Sequence, residues 1–229
     1  MREDMVDLFE SAARLQALLD DEDICLVGGS ASSYYAEHRL SMDHDHVLRD
    51  LRSRFDIVLD ALESQGDWVT NRVLPGKVIL GELGGVEAGV RQMIRKTPLE
   101  VEVVTLASGR RLTLPTLDET LRIKAFLLVK RNQTRDYLDV AALAKRFTET
   151  WAAHVLVGID RYYADDESVP DAVASQIVML LGDPKPKDLA GIDLTGYKGL
   201  DPYLADWSNV AAVCVGLARL MVGMAGDGS

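Results

Sequence analysis

Apolar side chains recur at Met5, Leu8, Phe9, Ala12, Leu15 and Leu19, the spacing of one helix face, and predict a helix over 4–19. Ile24-Cys25-Leu26-Val27 is a short continuous apolar run halted by Gly28-Gly29, the pattern of a buried strand. Ser30 stands where it can cap a following helix over 31–38. A second strand is predicted over 43–48 and a second helix over 49–64. Between 66 and 105 the pattern turns β-rich. Trp68-Val69-Thr70, Lys77 to Leu80 and Leu99 to Leu106 are separated by Pro75-Gly76 and Gly84-Gly85. Ser108-Gly109 then turns the chain into Arg111 to Leu114. This half predicts a mixed sheet of roughly five strands. Past Pro115 the period is helical. Thr116-Leu117-Asp118-Glu119 fits a capping box for a helix to Lys130, and Thr134 can cap another to Phe147. Further helices are predicted over 150–163, 168–181 and 208–224. The expected fold class is α/β with a mixed sheet over 1–115, followed by an α-helical carboxyl-terminal domain over 116–229.

Composition sharpens this picture in two places. With 48% hydrophobic and 27% charged residues the chain is built to bury a core, and disorder is not expected. No unbroken apolar run reaches the roughly 18 residues that span a bilayer. Met1-Arg2-Glu3-Asp4 lacks the layout of a signal peptide. Cys25 and Cys214, both in apolar segments, read as small core residues in a reducing compartment. A cytoplasmic protein with no membrane partner is expected. The net charge of −11 excludes a uniformly basic nucleic-acid-binding surface. Basic residues nevertheless gather between Arg91 and Arg146, and predict a local basic surface that could serve an RNA backbone.

The chemistry concentrates in two short segments. Val27-Gly28-Gly29-Ser30 places two glycines and a hydroxyl at the start of a helix, where backbone N–H groups can receive phosphate. Asp43 and Asp45 follow, two apart on a predicted strand, so their carboxylates share a face while His44 and His46 turn away. Two like charges held together call for a cation, and magnesium or manganese prefers oxygen ligands. Nucleotidyl transfer from an NTP needs such a set: paired carboxylates for metal and a glycine-bearing turn for the triphosphate. Glu100 and Glu102, again two apart on one predicted strand, are candidates for a third carboxylate, with Glu102 preferred as nearer the strand's middle.

Residues Val27 to His46 resemble the signature of the DNA polymerase β-like nucleotidyltransferase superfamily. Within it, Arg39-Leu-Ser-Met-Asp-His-Asp45 is similar to the Arg-x-Ser/Thr-x-Asp-x-Asp form of the AbiEii/AbiGii toxin family, and so to MenT-type tRNA-modifying toxins. Two later stretches, Leu121 to Arg131 and Arg135-Asp136-Tyr-Leu-Asp139, resemble that family's lysine-bearing and Arg-Asp-x-x-Asp segments. The resemblance implies that Gly28, Gly29 and Ser30 hold the triphosphate and that Asp43 and Asp45 bind magnesium. It implies that Lys124, with Arg131 seven residues on, answers nucleotide phosphate. Asp139, or with less support Asp136, would complete the site as acid/base or supporting carboxylate. The implied reaction moves NMP from an NTP to an acceptor, the 3′ end of tRNA in relatives, in a toxin–antitoxin or phage-defence setting with a cognate antitoxin as partner.

Other readings stay open from the residues alone. The superfamily also contains aminoglycoside nucleotidyltransferases, whose cationic acceptors would suit an acidic chain. A catalytically silent partner-binding module is a third reading, against which both aspartates and the lysine are retained. The four residues Lys124, Arg131, Asp136 and Asp139 could instead form exposed interhelical ion pairs. His38, His44 and His46 could belong to a transition-metal or phosphohydrolase cluster, for which only His154 remains downstream. Trp151, Tyr162, Tyr163, Tyr197, Tyr203 and Trp207 are packing residues or a base-stacking pair.

Overall fold

The amino-terminal stripe forms a helix over Val6–Leu19 (α1), closed by Asp20 in the left-handed conformation. The computed structural model describes residues 3–20, 23–163 and 172–227. The predicted positions Met1, Arg2 and 168–171 lie outside them. After α1 come strand β1 (Cys25–Val27), helix α2 (Gly28–Ala36), strand β2 (Asp43–Leu48) and helix α3 (Leu51–Glu63). Strands β3 (Trp68–Leu74), β4 (Val78–Leu83), β5 (Val86–Gln92), β6 (Val101–Thr105) and β7 (Arg111–Pro115) complete the β-rich half. The rest is helical: α4 (Leu117–Arg131), α5 (Thr134–Phe147), α6 (Glu149–Val157), α7 (Asp160–Tyr163), α8 (Val173–Gly182) and α9 (Trp207–Asp227). This is the expected fold class.

The sheet is mixed and five-stranded, in the order β1-β2-β5-β4-β3, with β2 and β5 parallel and the other pairs antiparallel. Its membership differs from the expectation. Strand β5 was not foreseen, because Glu87, Gly89 and Arg91 dilute its apolar alternation. Gly84-Gly85, which looks like a break, is the two-residue turn of the β4–β5 hairpin: both have positive φ (59° and 83°), and Leu83 pairs with Val86. The runs after Leu99 form a separate two-stranded sheet, β6-β7.

The chain divides into two compact units. The first holds Met1–Tyr34, Leu40–Ile94 and Leu99–Thr116. Its core gathers Leu15, Leu19, Leu48, Leu51, Phe55, Leu62, Trp68, Ile79 and Val90 between the sheet, α1 and α3. The second holds Leu117–Ser229 and also Tyr35–Arg39 and Arg95–Pro98, which a single cut near Pro115 would place in the first. Both segments are tied to that unit: Tyr35 and Ala36 pack in its apolar core, and His38, Arg39 and Arg95 meet carboxylates on α4 and α5.

In the second unit α9 packs against α5, α6 and α8 through Val210, Val213, Cys214, Leu217 and Met221. Trp207–Gly226 is long and apolar enough to cross a membrane by length and composition, with a mean hydropathy of 1.6. No such segment was expected, because Ser208, Asn209 and Arg219 interrupt the apolar run without lowering its average below that threshold.

The inner face of β2 carries His44 and His46, both fully buried, with ring centroids 5.3 Å apart. His44 Nε2 meets Ser11 Oγ at 3.0 Å. Burial pushes His44 down to about 4 and His46 well below the usual imidazole range. Both are therefore neutral in the fold near pH 6, whereas the unfolded chain takes up protons below about 6.5. Stability is then full above pH 6.5 and falls as the pH drops toward 4. Urea unfolding at pH 7 and pH 5 should show a loss of about 2 kcal/mol from His44 alone. His44→Gln should have a shallower pH slope over that window, and an unchanged slope would refute the assignment.

Candidate active site

Strand β2 is where the first unit sets out its chemistry. Its burial alternates, so His44, His46 and Leu48 face the core while Asp43 is exposed and Asp45 half-buried. The outer face therefore presents both carboxylates, as the sequence pattern requires. Val27 of β1 pairs with Asp45, and the chain turns at the next residue, Gly28 (φ 75°), directly into α2. The amino terminus of α2 thus begins beside Asp45. The first-turn N–H groups of a helix have no intrahelical acceptor and carry the positive end of its dipole.

Two glycines border the Asp45 carboxylate. A Cβ on Gly28 would lie 3.6 Å from Oδ2, and one on Gly89 would lie 2.6 Å from Oδ1. At the second distance a side chain on residue 89 would displace the Asp45 carboxylate. Gly89 faces Asp45 across the parallel β2–β5 pairing, so the missing side chain leaves room for the carboxylate to lie over β5. There Arg91 Nε donates to Asp45 Oδ1 at 3.1 Å. Glu87 of β5 stands in register with Asp43. Residues 87, 89 and 91 were not foreseen as part of the site. A glycine inside a β pattern was the available signal, since it often marks close approach.

Ser30 takes a different part from the one expected. Its hydroxyl is buried and donates to the Asp43 carbonyl, which Ser41 Oγ also reaches at 3.2 Å. The serine thus fixes the start of β2 rather than capping α2 or offering its hydroxyl to phosphate. Glu102 lies exposed on β6, where its charge contributes to raising the Tyr34 hydroxyl, after the effect of burial. Among the described residues no three His, Cys, Asp or Glu side chains gather closely enough to hold a metal ion, so Glu102 does not join Asp43 and Asp45 in a ready-made triad. The cradle itself fits a cation: two carboxylates on one face, glycine on both sides of one of them, and a guanidinium already resting on it.

The second unit holds a buried ionic cluster. Asp139 on α5 is fully buried and accepts from Lys124 Nζ at 2.6 Å, His38 Nε2 at 2.8 Å and Arg39 Nε at 3.0 Å. Burial alone would raise the Asp139 carboxyl, but Arg39, Lys124 and His38 hold it well below the usual carboxylate range. Burial also pushes His38 down, against the raising effect of Asp139 and with Arg39 and Lys124 lowering it further; facing a carboxylate, its Nε2 is the donor. Arg39 lies over Tyr197, with its guanidinium carbon 5.9 Å from the ring centroid. Lys124 and Asp139 are therefore together, as expected, but buried rather than exposed.

Arg131 and Asp136 form a second pair, with Arg131 Nε and Nη2 donating to the two carboxylate oxygens at 2.7 and 2.6 Å. Arg131, expected at nucleotide, is thus bound in a bidentate contact to Asp136, the less favoured alternative to Asp139 as site carboxylate. Thr134 does not cap α5 alone, since its N–H and hydroxyl both donate to Asp188 Oδ1 at 2.8 Å. On α4, Glu119 is fully buried against Arg95 at 2.6 Å and Arg122 at 3.0 Å.

Many of the cations in the predicted basic stretch are paired within the chain. Arg91, Arg95, Arg110, Arg122, Lys124, Arg131, Lys145 and Arg146 all face carboxylates of the chain itself. In a chain with 36 acidic and 25 basic residues, internal carboxylates are plentiful enough to claim them. The aromatic residues are occupied as well. Tyr163 stacks on Phe126 with centroids 3.9 Å apart, Arg122 lies 4.0 Å over Tyr162, and Trp207 meets Tyr137 edge-on. The histidines do not assemble: His44 and His46 sit behind the sheet, His38 belongs to the second unit, and His154 bonds Thr150 of its own helix.

No protein-family model matches the chain. Over 182 residues it is 35% identical to a stretch of the heme uptake protein MmpL11 of Mycobacterium tuberculosis. That stretch takes in 77% of this chain but only 17% of MmpL11, so the chain spans a small part of the curated relatives it matches. Among solved structures it is similar to MenT4, a nucleotidyltransferase toxin of M. tuberculosis. That likeness has a TM-score of 0.61 and 15% identity, covering 95% of this chain and 83% of MenT4. It is also similar to an H. pylori protein assigned as a nucleotidyltransferase, with a TM-score of 0.52 and 16% identity over 100% and 99% of the two chains. The chain has the nucleotidyltransferase fold.

Removing the carboxylate of Asp139 should leave Lys124 and Arg39 buried without their counter-charge. Asp139→Asn is expected to cost about 3–5 kcal/mol in urea unfolding, well above Lys145→Gln at its exposed pair with Asp201. Equal effects of the two substitutions would contradict the burial argument.

Proposed function

We propose that the chain is a metal-dependent nucleotidyltransferase that moves NMP from an NTP to an acceptor. The observation that carries this is the placement of Asp43 and Asp45 on one face of β2, with Asp45 bordered by two glycines beside the amino terminus of α2. Asp43 and Asp45 would hold magnesium or manganese, and such an ion supplies charge neutralisation and alignment at the reacting phosphate. The backbone of Gly28 and Gly29 would receive the triphosphate. Ser30 keeps Asp43 in place by holding its carbonyl. We assign Lys124 and Asp139 to the same reaction, the lysine as counter-charge for nucleotide phosphate and Asp139 as the carboxylate that orients it. The buried contact between them favours a positioning part for Asp139.

The acceptor we propose is the 3′ end of tRNA, in a cytoplasmic toxin paired with an antitoxin or in a phage-defence system. Two things support it: the AbiEii-like Arg39-to-Asp45 and Arg135-to-Asp139 segments, and the likeness to a nucleotidyltransferase toxin. The internally paired cations weigh against a broad basic groove, so the tRNA end rather than its body is the element recognised. Incubation with each labelled NTP and total tRNA should transfer label to tRNA. Asp43→Asn should lower the rate at least about 100-fold while the fold persists by circular dichroism. Label moving to an aminoglycoside instead would replace tRNA as the acceptor. Unchanged transfer in Asp43→Asn would remove the catalytic assignment.

A second reading draws on the 35% identity to a segment of a transport protein. Here the nucleotidyltransferase unit works attached to, or alongside, a membrane transporter. Fractionation of source cells should then recover it with membranes after a high-salt wash, and recovery in the supernatant would reject this reading.

A further inference from the structure

We propose that Arg91 is a built-in counter-cation of Asp45, which holds that carboxylate over β5 in the metal-free protein and yields it to a divalent cation, so that Arg91 sets the metal affinity of the site. The inference rests on reading Asp43 and Asp45 as metal ligands.

Three observations carry it. First, Arg91 Nε meets Asp45 Oδ1 at 3.1 Å, whereas among the described residues Asp43 meets the Ser41 hydroxyl at 3.3 Å and no lysine or arginine side chain. One carboxylate of the pair is thus neutralised by protein and the other is not. Second, the contact depends on a cleared path. Oδ1, the oxygen that Arg91 holds, is the atom a Cβ at Gly89 would strike at 2.6 Å. Arg91 lies two residues further along β5, hence on the same face as Gly89 and, by the parallel register, as Asp45. Third, the pair is open to solvent, with side chains 45% and 26% exposed. The ion pairs of Asp139 are buried and permanent, but an exposed one is weak and exchangeable. Glu87, in register with Asp43, adds a further negative charge to this face. Without Arg91 the face would hold three carboxylates with mutual repulsion, which favours metal binding. Arg91 therefore weakens the resting site and orients Asp45 for exchange.

The test is Mn2+ binding to the full chain, read as loss of the free Mn2+ signal in electron paramagnetic resonance, with no nucleotide present. Arg91→Gln should bind Mn2+ about 3- to 10-fold more tightly than the unsubstituted protein, a gap that narrows in about 0.5 M salt. Arg91→Lys, which keeps the charge but not the guanidinium Nε, should fall between them. In an Asp45→Asn background the Arg91→Gln effect should disappear. Equal affinity in the unsubstituted and Arg91→Gln proteins, with binding lost in Asp43→Asn, would overturn the counter-cation role while leaving the metal site standing. No saturable Mn2+ binding in any of these proteins would overturn the metal-site reading and this inference with it.

Discussion

Strand β2 must satisfy two opposite demands on its two faces, and the first unit is arranged around that. Inward, His44 and His46 are buried against α1 and the sheet, which forces them neutral. Outward, Asp43 and Asp45 present their carboxylates at a point where α2 begins and β5 runs alongside. A strand's period of two leaves no intermediate solution: slipping the register by one residue would bury two carboxylates and expose two imidazoles. The cost of burying a carboxylate pair is far larger than that of burying neutral imidazoles, so the register is held strongly. Everything else near the site follows from it, including the glycines that make room beside Asp45 and the serine that holds the Asp43 carbonyl.

The second unit solves a different problem with the same currency of charge. Asp139 is buried among a lysine, an arginine and a histidine, and its ionised form is the only one that satisfies all three donors. Such a cluster is no simple gain in stability, because desolvation offsets most of the attraction. It fixes geometry instead. Four side chains from three separate parts of the sequence, 38–39, 124 and 139, are bound into one arrangement. Together with the packing of Tyr35 and Ala36 in the apolar core, it ties Tyr35–Arg39 to the second unit, although the strand that follows belongs to the first.

Much of this was legible in the chain. Apolar runs and period located α1, β1, β2 and the helices after Pro115, because those elements bury one face or two in the ordinary way. The Asp43-x-Asp45 alternation was readable for the same reason. Strand β5 was not, since it faces the core with small residues, Ala88 and Val90, and shows glutamate, glycine and arginine outside. Arg91 was counted among candidate RNA-binding cations, and only the cross-strand register reveals that it serves Asp45. For the basic stretch, linear charge says nothing about partners: Glu10, Glu37 and Asp201 are distant in sequence from the cations they hold. Ser30 misled in a similar way, as position alone cannot tell a capping hydroxyl from one turned toward the next strand.

The outer face of β2, with the start of α2, is the proposed cation-and-phosphate site. Its most direct test is the paramagnetic effect of Mn2+ on the backbone amide resonances of the whole chain. Selective broadening is expected at Gly28, Gly29, Ser30, Asp43, Asp45 and Gly89, abolished in Asp43→Asn/Asp45→Asn. Broadening centred elsewhere, or surviving loss of both aspartates, would contradict it.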